Sequence, residues 1–250
     1  MIDVLVCGIC GKMGAKVCEV ISADDELQVV CGVDVNAAKL SVPVYPSFRE
    51  VREHTDVIID FSSPAALRDE LEWATTQHIP VVLAATGYSE DNFRYIEKCS
   101  REFAVFKTAN FSLGVNLLVK LVNEAAQTLG EKFDVEIIEK HHRLKTDAPS
   151  GTALMLADSA NSAFCGEKQY LCGRNGNIGR RGKEIGIHAV RGGTIVGEHE
   201  VIFAGEDEII TLSHSARSKK VFAEGAVKAA KWIIGKPAGM YDMTDILQNL

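Results

Sequence analysis

The chain has 250 residues, 46% hydrophobic and 24% charged, with a mean hydropathy of +0.04; that balance fits a globular protein and excludes disordered and fibrous classes. There are 34 acidic against 27 basic side chains, a net charge of −7, which argues against generic attraction to nucleic acid or an anionic membrane. No apolar stretch approaches membrane-spanning length and the opening MIDVLVCGIC has no basic segment before its apolar run, so neither span nor secretion signal is expected, and a cytoplasmic location is. The seven cysteines, spread from Cys7 to Cys172 without dense spacing, read as reduced thiols used as small apolar residues.

Residues 2–7 form a β-branched apolar run, followed by glycines at 8, 11 and 14 and by Met13, Val17, Val20 and Ile21 at helical spacing: strand, turn, helix. A second apolar run, 27–33, ends at Asp34, and a third, 57–59, ends at Asp60-Phe61-Ser62-Ser63-Pro64, where a Ser cap and a Pro at the first position predict a helix start. That helix holds Leu67, Leu71 and Trp73 and ends before Pro80. Residues 81–85 and 104–106 supply two further buried runs with a helical segment between them. This regular alternation predicts a Rossmann-like doubly wound parallel sheet over the first ~110 residues.

Beyond Asn110 the character changes to an α+β pattern. Residues 113–129 read as a helix, 135–139 as a strand and 151–163 as a helix; 184–190, 194–203 and 209–213 alternate and look antiparallel, predicting a mixed or antiparallel sheet. Residues 172–182, rich in Gly, Arg and Asn, read as a mobile loop. A last amphipathic helix, 221–234, is expected to return to the first domain. The expected organisation is a dinucleotide-binding domain of residues 1–112 and 218–250, and a substrate-binding and oligomerisation domain of 113–217.

Gly8-Ile9-Cys10-Gly11-Lys12-Met13-Gly14 joins the first strand to its helix, and Asp34 closes the next strand 20 residues past Gly14. Glycines there let the backbone approach a pyrophosphate at the helix N-terminus, and a carboxylate at the second strand's end suits a ribose 2′-hydroxyl. The spacing is G-x-x-G-x-x-G rather than G-x-G-x-x-G, so the assignment rests on the strand, helix and Asp34 around it. Asp34 repels a 2′-phosphate and leans toward NADH; Lys12 is either a solvated residue or a contact for that phosphate, so NADH and NADPH both stay open as cofactors. Cys7 and Cys10 form a C-x-x-C, but no second pair follows at ligand spacing and no metal is expected.

The segment 139–153, EKHHRLKTDAPSGTA, places His141, His142, Arg143 and Lys145 in an acidic chain just before a Ser-Gly-Thr helix start. Free N–H groups and the positive dipole end at Gly151 and Thr152 suit a carboxylate, with His142, Arg143 and Lys145 supplying charge. The alternative is a solvated basic loop with Ser150 as a plain cap. Residues 84–87 and 108–111 fall where an open α/β sheet presents ligand contacts, or serve as simple turns.

The segment 139–153 closely resembles the signature of the dihydrodipicolinate reductase (4-hydroxy-tetrahydrodipicolinate reductase) family of lysine and diaminopimelate biosynthesis. Similar pieces lie at 8–14, 60–62, 109–116, 186–193 and 197–199. The resemblance implies NAD(P)H-dependent reduction of a small cyclic dicarboxylate, with His141 as proton donor and acceptor, Lys145 as a second donor, and His142, Gly151 and Thr152 binding substrate. It places the cofactor on Gly8, Ile9, Cys10, Gly11, Lys12, Met13, Asp34, Ala84, Ala85, Thr86, Thr108, Ala109, Asn110 and Phe111. It also implies a homotetramer paired through sheets and a hinge closing one domain on the other. Three departures stand out: Ala84-Ala85 in place of the Gly-Thr of a G-T-T-G loop, Ser218-Lys219 where many members have Ser-Arg, and a short stretch between Asp34 and Val57.

Overall fold

The computed structural model describes residues 1–36 and 39–248, so the final two residues of the expected first domain lie outside it. The chain divides into two compact units, one of Met1–Phe111 with the segment from Lys220 onward, the other of Ser112–Lys219.

The first unit opens with β1 (Ile2–Cys7), α1 (Lys12–Ser22), β2 (Leu27–Val33), β3 (Val44–Tyr45), β4 (Val57–Asp60), α2 (Leu67–Gln77), β5 (Val81–Leu83), α3 (Glu90–Cys99) and β6 (Ala104–Lys107). Helix α2 starts later than the Ser-Pro signal predicts. Ser63 and Pro64 carbonyls accept from Ala66 and Leu67 N–H, a tight i to i+3 turn that precedes the α-helix, and no side chain caps its start. The two-residue β3 carries too little pattern to be read from sequence.

The second unit contains α4 (Leu113–Leu129), β7 (Asp134–His141), α5 (Gly151–Ser162), β8 (Gln169–Cys172), β9 (Glu184–Arg191), β10 (Gly197–Ala204) and β11 (Ile209–Ala216), in the sheet order β11-β10-β7-β9-β8. Strand β10 runs antiparallel to β11 and β7, whereas β9 is parallel to β7 and β8 parallel to β9. The sheet is therefore mixed, and β9 does not pair with β10 as the three alternating runs suggest. Alternation reports a half-buried strand and not its partner; the α5 crossover carries the chain from β7 to the edge strand β8, and the 173–183 return then inserts β9 parallel to and between the two, leaving β7 at the centre. Residues 173–183 return the chain from the end of β8 to the start of β9, and Cys172, read as loop, closes β8. Arg174 and Arg181 of that return pair with Glu184 and Glu136. Helices α4 and α5 cover one sheet face around Val135, Ile137, Leu156, Val201 and Phe203.

The chain then comes back to the first unit as α6 (Lys220–Ile233), β12 (Gly239–Tyr241) and α7 (Met243–Gln248). The completed sheet is parallel throughout, in the order β12-β6-β5-β4-β1-β2-β3. Successive residues of β1 serve opposite faces: Val4 and Val6 join the cluster with α1 and α6, Leu5 and Cys7 the cluster with α2 and α3. Both faces are covered, which is why these strands read as unbroken apolar runs. Strand order reverses between β1 and β4, the switch point where such sheets open a ligand crevice.

Candidate active site

Along β7 the covered face carries Val135 and Ile137, then Glu139 and His141, so the core side of the strand turns polar at its end. Register sets Glu139 opposite His199 of β10 and His141 opposite Arg191 of β9. Glu139 is fully buried and accepts four hydrogen bonds: from Arg191 Nη2 (2.7 Å) and Ser150 N–H (3.0 Å) on Oε1, from Arg191 Nη1 (2.8 Å) and His141 Nδ1 (2.6 Å) on Oε2. Burial alone raises its pKa, but the bonds from Arg191, His141 and Ser150 outweigh it and hold the carboxyl below the ordinary range. An ionised carboxylate only accepts, so His141 presents Nδ1–H to it and leaves Nε2 for proton exchange.

Arg191 is the strut of this array. Besides its fork on Glu139, Nη2 donates to the Asp147 carbonyl at 2.6 Å, and Gly192 N–H to that of His141 at 2.9 Å, tying the loop after β7 to the end of β9. Lys145 Nζ sits 2.7 Å from Asp147 Oδ1, and this bond draws the Asp147 pKa down. Ser150 caps α5, its Oγ accepting from Ala153 N–H at 3.2 Å, and lies 3.1 Å from His199 Nε2. Gly151 and Thr152 are the first residues of α5; a Cβ on Gly151 would meet nothing within 4 Å, so the positive helix end is open to an approaching anion. His142 is half-buried, and its buried Nδ1 has no hydrogen-bond partner, a polar atom suited to a ligand.

The second unit thus brings His141, Lys145, His142, Gly151 and Thr152 into one stretch between the end of β7 and the start of α5. Sequence reasoning missed Glu139 as the partner of His141, and also Arg191 and His199. The last two lie within the family-like pieces 186–193 and 197–199, which held the available signal.

In the first unit the glycine turn is built for close approach. Gly8 has φ +76°, and a Cβ there would lie 2.9 Å from the Ser62 backbone; a Cβ on Gly14 would lie 2.2 Å from the Gly8 carbonyl oxygen. Gly11 starts α1 without a side chain of its own, and no side-chain hydrogen bond caps the helix. These observations fit a dinucleotide pyrophosphate. Asp34 follows β2 and accepts from Cys10 N–H at 3.0 Å and Asn36 N–H at 2.8 Å, so it braces the turn, a second task the sequence did not announce. Lys12 is exposed. Ile9 and Phe111 bury their side chains in the core, leaving only backbone to a ligand. Ala85 is buried, Ala84 N–H donates to the Asp60 carbonyl at 2.8 Å, Thr86 and Ala109 are exposed, and Thr108 Oγ1 donates to the Asn110 carbonyl at 3.2 Å.

A doubly wound sheet with a glycine turn at its switch point, joined in one chain to a mixed sheet bearing a held imidazole, defines a two-unit oxidoreductase of the Rossmann type. The comparisons with known proteins narrow the class. The family described as dihydrodipicolinate reductase, N-terminus, matches residues 2–111, and its C-terminus counterpart matches 114–247. A 4-hydroxy-tetrahydrodipicolinate reductase of Caldanaerobacter subterraneus subsp. tengcongensis is 50% identical over 250 residues, covering 100% of this chain and 99% of that one. The Clostridium tetani protein of the same name is 41% identical, covering 100% and 98%. Among solved structures, dipicolinate-bound dihydrodipicolinate reductase from Paenisporosarcina sp. TG-14 shares the fold with a TM-score of 0.81 at 24% identity, covering 97% of each chain. The chain belongs to the dihydrodipicolinate reductase family.

Proposed function

We propose that this chain carries out its family's reaction: reduction of 4-hydroxy-tetrahydrodipicolinate to tetrahydrodipicolinate with loss of water, using NADH or NADPH, in lysine and diaminopimelate biosynthesis. The observation that carries the site assignment is the buried Glu139 that aims His141 beside the open start of α5. When bound, the reduced nicotinamide supplies the hydride. Gly8 to Met13, Asp34, residues 84–86 and residues 108–111 of the first unit hold that cofactor.

The second unit holds the substrate. His142, Gly151 and Thr152 bind its carboxylates, the helix end and Lys145 countering their charge. His141, its Nδ1–H fixed by Glu139, delivers a proton from Nε2 to the ring carbon next to the one that receives hydride. Lys145 is the second donor, an alternative source of that same single proton. Hydride and proton together complete a two-electron reduction of the double bond that water loss creates. The protein works in the cytoplasm as a homotetramer built through the sheet of the second unit. Exposed Tyr170, Val190, Ile209 and Ile210 on that sheet's strands support this assembly.

The test is oxidation of the reduced nicotinamide followed by its absorbance, with substrate made in situ from pyruvate and aspartate semialdehyde by the upstream synthase. Synthase-dependent oxidation is expected with at least one cofactor; its absence with both, while both bind, sinks the substrate assignment. His141→Gln is expected to lower kcat by about 10²–10⁴, with NADH affinity within about threefold of the parent. Light scattering at micromolar concentration checks the assembly, and a monomer there would contradict it.

A further inference from the structure

His199 lies on β10 opposite Glu139 and is only 5% exposed. Its Nε2 is 3.1 Å from Ser150 Oγ, and its ring meets that of His141 edge-on, centroids 5.2 Å apart and planes at 74°. Ser150 is the junction of the site: its N–H donates to Glu139 and its Oγ accepts from Ala153 N–H at the start of α5. As a mere filler of this space an imidazole is a poor choice. Its Nδ1 is buried without a partner, a cost that an apolar ring of similar size avoids.

The groups facing His199 are His141 and Glu139 on β7, Lys145 in the loop after β7, and His214 on β11. Burial foremost, then the positive charge of His141, holds its pKa down at about 4, so the ring is neutral near pH 7. A neutral ring carries one N–H and one bare nitrogen. Either tautomer bonds Ser150 Oγ, with Nε2–H donating to the hydroxyl oxygen or a bare Nε2 accepting the hydroxyl hydrogen.

We propose that His199 is a positioning residue for the reduction: through Ser150 it holds the start of α5 that receives a substrate carboxylate, and through its ring it braces the plane of His141. This rests on the assignment of His141, Gly151 and Thr152 made above. The two contacts act on different steps. Loss of the hydrogen bond weakens dicarboxylate binding, and loss of the ring slows proton delivery.

His199→Phe keeps an aromatic edge but cannot hydrogen-bond; His199→Gln keeps a hydrogen-bonding group and loses the ring. In the full-length protein, His199→Phe is expected to raise the substrate KM and the dipicolinate dissociation constant about tenfold, with kcat within about threefold and NADH affinity unchanged. His199→Gln is expected to bring dipicolinate affinity back to within about threefold of the parent, while kcat falls about tenfold. Ser150→Ala reaches the same contact from the other side, and the Ser150→Ala/His199→Phe pair is expected to lose no more dicarboxylate affinity than Ser150→Ala alone. Parent-like dipicolinate binding by His199→Phe, no recovery in a folded His199→Gln protein, or additive losses in the pair would each overturn the proposal. His141→Gln run alongside separates the two assignments. If it is inactive while the His199 variants behave like the parent, only the role of His199 falls; if it turns over normally, the site assignment itself has failed.

Discussion

Glu139→Gln puts the greatest strain on the arrangement at the end of β7 for the smallest change in shape. In the parent, Oε1 faces two donors, Ser150 N–H and Arg191 Nη2, and Oε2 faces two more, Arg191 Nη1 and His141 Nδ1. An amide offers one oxygen and one NH₂: with the NH₂ toward Ser150 it meets two donors, and with the NH₂ toward His141 it meets Arg191 Nη1 and forces the imidazole hydrogen from Nδ1 to Nε2. Each charge-assisted bond contributes about 1.5–3 kcal/mol, and a buried pair broken from one side costs about 3–5 kcal/mol. We therefore expect a loss of about 3 kcal/mol from the second unit, a fall of roughly 12–24 °C in the melting of that unit at about 4–8 °C per kcal/mol for a domain near 100 residues. His141 would also lose the carboxylate that fixes its Nδ1–H, and kcat is expected to fall by about 10²–10⁴.

The same variant has a pH signature. The Glu139 pKa is lower folded than unfolded, so its stabilisation is fully present above the ordinary glutamate value of about 4.5 and is lost as pH falls below it toward the folded value. Melting curves of parent and variant should converge as pH drops through that window. A Glu139→Gln protein with kcat within threefold of the parent, and with an undiminished acid-side loss of stability, would refute this account of the array.

Gly14→Ala, which sets a Cβ 2.2 Å from the Gly8 carbonyl oxygen, is expected to abolish NADH binding measured by fluorescence while dipicolinate binding persists; parallel loss of both would point to global unfolding instead. Asp34→Asn keeps an acceptor for Cys10 N–H, gives up the one for the exposed Asn36 N–H and removes the charge. It should shift the ratio of kcat/KM for NADPH over NADH upward by about tenfold, or ~1.4 kcal/mol, and an unchanged ratio means that Asp34 does not read the ribose. Lys145→Met removes an ion pair whose partner Asp147 is more than half exposed, so melting should move by no more than about 1 kcal/mol. Its kcat should nonetheless drop about 10²-fold; a normal kcat removes Lys145 from proton delivery.

Where an element buries both faces or one clean stripe, its sequence announces it. The unbroken runs of β1, β2 and β4, and the capped stripe of α4 from Leu113 to Leu129, are legible because their own residues carry the pattern. What stays hidden depends on partners. Strands β3, β8 and β12 have four residues or fewer and owe their form to a neighbour at a sheet edge. The parallel pairing of β9 with β7 is set by the α5 crossover to β8 and the 173–183 return together, and leaves no mark on either strand. The site divides in the same way: residues 141–152 are contiguous and chemically odd for an acidic chain, whereas Arg191 and His199, 52 and 60 residues beyond Glu139, reach it only through register with β7.

The route of the chain also dictates an order of assembly on the ribosome. Residues 112–219 emerge as one continuous stretch and hold all the strands and helices of their own unit. The first unit is interrupted. One face of its sheet, with Val4, Val6, Val57 and Ile59, shares a cluster with Ala223, Ala226, Ala230 and Ile233 of α6 and with Met243 and Ile246 of α7. Lys231 reaches Glu26 across 205 residues of sequence. Although most of its strands are synthesised first, that face is covered only in part, by α1, until α6 and α7 have emerged from the exit tunnel.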